Sequence, residues 1–166
     1  NDSDTEGDTL TAVLETNVQN GTLVLEEDGS FTYTPFEDFN GEDSFTYRAN
    51  DGTDDSDIVT VTITVDPVND APVAEQDRYD FASGGVIVSA VNGVLSNDSD
   101  IDLDNLTAVL VDTTENGQLT FNSDGSFEYT RNSSGGDTDR FTYQAFDGSA
   151  FSEVQVVFLD GLFIPV

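Results

Sequence analysis

The chain has 166 residues, with 34 Asp and Glu against 4 Lys and Arg, a formal charge of −30. Binding nucleic acid or an anionic membrane surface takes clustered basic side chains, so both are excluded as partners, and self-repulsion on this scale calls for cations that screen or bind the charge. Cys and His are absent, which removes disulfides, thiolate metal sites and the usual general base and leaves carboxylates, ligands for hard cations such as calcium.

Along the chain, Asp2, Asp4, Glu6 and Asp8 place an acid at every second position, and Leu-Thr-Ala-Val-Leu at 10–14 suits a strand buried against a core. Asp28-Gly29-Ser30 lies between the short apolar runs 23–25 and 31–33, the signal for a tight hairpin. Phe45 and Tyr47 alternate, so both rings face one side of a strand that Asp51-Gly52 closes before the next strand at 58–65. A linker, Asp66-Pro67-Val68-Asn69-Asp70-Ala71-Pro72, follows. The rest reads as seven strands beginning near 73–79, 86–89, 106–111, 117–121, 126–130, 139–146 and 152–159. No stretch has helical periodicity of useful length, and no apolar run reaches the ~20 residues that cross a bilayer. No leader precedes Asn1, so the chain reads as soluble, without membrane insertion, and either mature or excerpted.

Slid on itself by 96 positions, the sequence aligns 1–63 with 97–159 without a gap, and 28 of the 63 pairs are identical. The chain is therefore an internal repeat. It divides as 1–66, a linker at 67–72, and 73–166. Short strands with turn signals every 8 to 12 residues or so indicate an all-β fold of two tandem immunoglobulin-like sandwiches.

The blocks NDSD, LTAVL, DGSFTYTP, FNGEDSFTYRANDG, VTVTITV and DPVNDAPVA, in this order and spacing, resemble the bacterial cadherin-like tandem repeats of large secreted adhesins. That resemblance implies immunoglobulin-like sandwiches, calcium binding, a secreted or cell-surface location, and roles in adhesion or matrix building. Calcium takes six to eight oxygen ligands. Asp98, Asp100, Asp102 and Asp104 repeat the alternating acids of the first half. An EF-hand does not fit, because Leu103 stands where its Gly belongs and Val109 and Val13 stand where its closing Glu belongs. Up-and-down strands bring the acidic loop and the turns at Asp124 and Asp147 to the end where the linker enters. The linker is similar to that of cadherins, whose Asn and Asp groups bind calcium between domains. The expected ligands are accordingly Asp66, Asn69, Asp70, Asp98, Asp100, Asp102, Asp104 and Asp147, with Asp2, Asp4, Glu6, Asp8 and Asp51 as the first-repeat counterparts. A merely solvated acidic surface is the rival reading, and recurrence at identical offsets favours the site.

The first repeat lacks a counterpart of 71–96, which carries two strands of the second, so it should expose core and open edges. Thr60 and Thr62 become Val156 and Phe158 in the second repeat, making both faces of that strand apolar and in need of cover. The apolar tail 162–166 could enter the open groove of another copy and build a head-to-tail filament. The expected function is a calcium-binding structural or adhesive repeat of an extracellular bacterial adhesin, matrix or filament protein. Its partners would be other copies, neighbouring repeats, or cell-surface glycans or proteins. The alternative is a carbohydrate-binding module using an exposed platform of Tyr33, Tyr47, Tyr129 and Tyr143; no nucleophile motif points to an enzyme.

Overall fold

The computed structural model describes residues 2–82, 84–134 and 136–161. Two compact units divide between Val68 and Asn69. The first contains β1 (Thr11–Thr16), β2 (Gly21–Leu25), β3 (Phe31–Pro35), β4 (Gly41–Asn50) and β5 (Val59–Val65). The second contains β6 (Asp77–Phe81), β7 (Gly85–Val88), β8 (Thr107–Asp112), β9 (Gly117–Phe121), β10 (Phe127–Arg131), β11 (Thr138–Phe146) and β12 (Gln155–Gly161), with one short 3-10 turn at Ala90–Asn92. In the second unit the sheet β6-β12-β11-β8 faces the sheet β7-β10-β9, with β6 parallel to β12 and the remaining pairs antiparallel. The first unit has β1-β4-β5 and β2-β3, the same arrangement without counterparts of β6 and β7. The fold of the described residues is thus all-β, in two tandem immunoglobulin-like sandwiches, with five strands in the first unit and seven in the second.

Alternation along the strands builds the core of the second unit. Asp139, Phe141, Tyr143 and Ala145 point inward from β11, and Val157 and Leu159 from β12. Tyr79 of β6 packs edge-on against Phe127 at 5.0 Å between ring centroids, and Phe81 against Tyr129 at 5.3 Å. The effect of the missing strands is measurable across the repeat: Phe127 is 2 % exposed, whereas its counterpart Phe31 is 45 % exposed. Phe31, Leu10, Ala12, Leu25, Phe45 and Val61 line an open cleft of about 370 Å³ in the first unit.

Two local devices recur in both units. Gly117 and Gly21 sit under the rings of Tyr129 and Tyr33, where a Cβ would stand 2.2 and 2.5 Å from ring carbons, so a side chain is excluded. Each ring's hydroxyl donates to a buried carboxylate, Tyr129 to Asp139 Oδ2 at 3.0 Å and Tyr33 to Asp43 Oδ2 at 3.1 Å. Asp139 also accepts the backbone N–H groups of Glu115, Asn116 and Arg140, as Asp43 accepts those of Gln19, Asn20 and Ser44. A single side chain thereby ties the β8–β9 loop to β10 and β11, pairing the buried Tyr129 hydroxyl and the half-buried N–H groups beside it.

The outer face of β12 receives its cover from within the unit: the Arg78 guanidinium of β6 lies 5.0 Å from the Phe158 ring centroid and pairs with Asp160. The tail 162–166 lies outside the described residues. No helix among the described residues is long and apolar enough to cross a membrane.

Candidate metal centre

In the second unit, the segment entering from the linker runs past the acidic loop and the β11–β12 turn. The backbone N–H of Asp70 donates to Asp102 Oδ2 at 2.8 Å, and the Asn69 amide donates to Asp147 Oδ2 at 3.0 Å. Val73 and Ser99 then exchange backbone hydrogen bonds, fixing the segment against the loop. Within the loop, Asp100 Oδ1 accepts the N–H groups of Asp102 at 2.9 Å and Asp104 at 3.2 Å, while Asp100 Oδ2 is buried with no partner. Leu103 takes φ 63° inside this turn and is 88 % exposed. Asp147 Oδ1 accepts the N–H groups of Ser149 and Ala150, and the N–H of Ala150 first, then Asn69 and Ser149, hold its carboxyl below the usual carboxylate range.

Asn69, Asp70, Asp100, Asp102 and Asp147 are therefore neighbours at one end of the unit. Asp104 contributes its backbone N–H there. Asp98 has different neighbours: its oxygens accept the N–H of Glu75 and the hydroxyl of Tyr143, on the inner side of the sheet. Asp66 follows β5 in the first unit. Among the described residues no group of three or more acidic side chains stands close enough together to hold a metal ion.

The first unit repeats the loop in register. Asp4 Oδ1 accepts the N–H groups of Glu6 and Asp8 at 2.8 and 3.0 Å, with Gly7 at φ 84° in the place of Leu103. Asp51 accepts the N–H groups of Thr53 and Asp54, and Asp2 accepts the hydroxyl of Tyr47. Asp2, Asp4 and Asp51 line one cleft of about 380 Å³ with Asp54, Asp55 and Asp57, whereas Glu6 and Asp8 stand exposed outside it.

The family model for the bacterial cadherin-like domain matches residues 69–160, and that for the bacterial Ig domain matches 1–64. The chain belongs to the bacterial cadherin-like domain family. Among solved structures, human CDH23 EC21-23 aligns with a TM-score of 0.67 at 16 % identity, over 95 % of this chain and 59 % of that one. Human Protocadherin-24 EC1-2 aligns with a TM-score of 0.63 at 13 % identity, over 96 % and 85 %. An endo-fucoidan hydrolase of glycoside hydrolase family 107 aligns at TM-score 0.39 and 20 % identity, and this chain spans 24 % of it. No curated protein matches the chain.

Two features of the cadherin-like units escaped the sequence reading. Asp43 and Asp139 were not singled out, although identity at the 96-residue offset marked them. Asp77 was missed as well. It is 8 % exposed on the inner face of β6, and burial first, then the charge of Asp98, push its carboxyl up to about 7. Nothing in its local sequence signals this, because its neighbours Asn97, Asp98 and Tyr143 lie 20, 21 and 66 positions away.

Proposed function

We propose that this chain is a calcium-binding structural repeat of an extracellular adhesin, matrix or filament protein. The observation that carries the reading is the meeting of Asn69, Asp70, Asp100, Asp102 and Asp147 where the linker joins the second unit, with one buried carboxylate oxygen, Asp100 Oδ2, lacking any partner. Every donor atom in this set is an oxygen of the hard type that calcium selects. Asp100, Asp102 and Asp147 would hold the ion together with Asp70 and the Asn69 carbonyl groups; Asp104 completes the candidate set of the second unit, and Asp2, Asp4, Asp51, Glu6 and Asp8 form the first-unit counterpart. The ion supplies positive charge that offsets a formal charge of −30 and cross-links the entering segment to two loops.

Calcium added to chelator-treated protein is expected to raise the melting temperature of the full chain, and Asp102→Asn with Asp147→Asn to abolish most of that rise. An unchanged melting temperature across calcium concentrations would reduce the acids to a solvated surface. The reading is non-enzymatic. It also disfavours the carbohydrate platform, since Tyr129 and Tyr143 are fully buried.

A second reading concerns assembly. The free edge of β5 and the open cleft at Phe31 favour uptake of a β-strand from another copy, for which the tail 162–166 is the candidate. Deleting 162–166 is expected to abolish filaments seen by electron microscopy; undiminished filaments would discard the tail as donor.

A further inference from the structure

We infer that the second unit holds a hard divalent cation of the calcium class inside its sandwich, between Asp77 of β6 and Asp98, at a place separate from the Asn69–Asp102–Asp147 group. The case rests on counting donors and acceptors. The Tyr143 hydroxyl is wholly buried and has one proton. Four acceptors lie within reach of it: Val94 O at 2.9 Å, Asp98 Oδ1 and Oδ2 at 3.0 Å each, and Glu75 O at 3.2 Å. The N–H of Glu75 donates to Asp98 Oδ1 at 2.9 Å. The Asn97 amide, oriented with its nitrogen toward the acceptors, donates to Asp77 Oδ1 at 3.3 Å and to Val94 O at 3.1 Å. Asp77 and Asp98 are thus joined through Asn97, Val94 and Tyr143 in one group, buried at Asp77, Val94 and Tyr143 and half-buried at Asp98, and acceptors outnumber the protons that serve them.

The second observation is independent of those hydrogen bonds. Asp77 is more than nine-tenths buried and its Oδ2 atom makes no hydrogen bond among the described residues. No protein cation answers it, because the adjacent Arg78 points to the opposite face of β6, where it pairs with Asp160 and covers Phe158. The Tyr79 hydroxyl on the same inner face spends its proton on Asn92 O at 2.9 Å. A buried carboxylate beside a half-buried one, with no counter-charge between them, is costly, and two carboxylates with the carbonyls of Val94 and Glu75 make an oxygen donor set for a small hard cation. A divalent ion matches the charge of the pair.

The test is a calcium titration of the full chain by calorimetry in three forms: unaltered, Asp77→Asn, and Asp102→Asn with Asp147→Asn. The expected result is that Asp77→Asn binds one ion fewer while the double variant keeps that ion. An Asp77→Asn protein with unchanged stoichiometry and affinities would overturn the proposal and leave the pair sharing a proton. Should Asp77→Asn fail to fold, carboxyl-carbon NMR of aspartate-labelled double variant answers the same question. The Asp77 and Asp98 signals are expected to move on calcium addition, and signals that stay fixed refute the interior ion. Because the double variant removes the loop ligands alone, failure of the loop site and failure of the interior site give different outcomes.

Discussion

Replacing Asp139 by Ala should be among the most damaging single changes in the second unit. Asp139 is 8 % exposed and takes four hydrogen bonds, from Asn116 N–H at 2.8 Å, Arg140 N–H at 2.9 Å, the Tyr129 hydroxyl at 3.0 Å and Glu115 N–H at 3.1 Å. Three of those donors belong to other elements and lose their acceptor together. A buried donor left unpaired costs about 1–3 kcal/mol, and the losses are not additive, so a total of roughly 3–4 kcal/mol is expected. For a unit of this size each kcal/mol moves the melting temperature by about 4–8 °C, giving a fall of roughly 12–30 °C. Differential scanning calorimetry of the full chain measures it. Asp139→Asn should lie between, because the amide keeps one acceptor but turns an NH₂ group toward the remaining donors. A loss below about 1 kcal/mol for the Ala variant would show that water replaces the carboxylate, and the idea of a buried anchor would fail.

Leu103→Gly should stabilise the unit by about 0.5–1 kcal/mol, since Leu103 holds a positive φ, is largely exposed, and aligns with Gly7 of the first unit; thermal melts that fall instead would show that its side chain has packing value. Asp100→Asn separates two roles of one residue: the amide oxygen can still accept the N–H groups of Asp102 and Asp104, so the metal-free melting temperature should hold while the calcium-induced rise shrinks. Acid should weaken the first unit through Asp43. Burial pushes its carboxyl up, but the N–H groups of Gln19, Asn20 and Ser44 and the Tyr33 hydroxyl outweigh that and hold it below 3.8. A depressed folded pKa gives stability that is full above the unfolded value and is lost as pH falls through the folded one. The melting-temperature gap between the unaltered protein and Asp43→Asn should therefore narrow below about pH 4; a gap constant down to pH 2 would contradict the assignment.

The sequence disclosed most of the strand plan because the repeat duplicates it. β1 to β3 and β8 to β10 occupy identical offsets, and alternation of Phe45 and Tyr47, repeated at Phe141 and Tyr143, puts both rings on one side of the strand, which in the second unit is the buried side. The turn at Asp124-Gly125 was legible for the same reason, with Gly125 at φ 80°. Long-range neighbours were not legible. Asp98 read as one more member of an alternating acidic loop, yet the chain turns at Leu95–Asp98 and carries that carboxylate inward to Tyr143. The apolar outer face of β12 called for cover, and only the parallel pairing of β6 with β12, which sets Arg78 beside Phe158, reveals where it comes from.

Recurrence of acids at a 96-residue offset also has two physical causes that the fold separates. Asp4 and Asp100, Asp28 and Asp124, Asp51 and Asp147, and Asp43 and Asp139 each accept backbone N–H groups in matching turns or loops, so geometry alone is enough to retain them. Turn formation accepts Asn or Ser in several of these places, however, and it needs no carboxylate oxygen left without a donor. What turns do not explain is Asp100 Oδ2 without a partner, or an entering segment whose Asn69 and Asp70 reach two separate loops. The acids at these positions therefore carry negative charge beyond what the backbone uses, and that surplus is where the proposed cation would gain its hold.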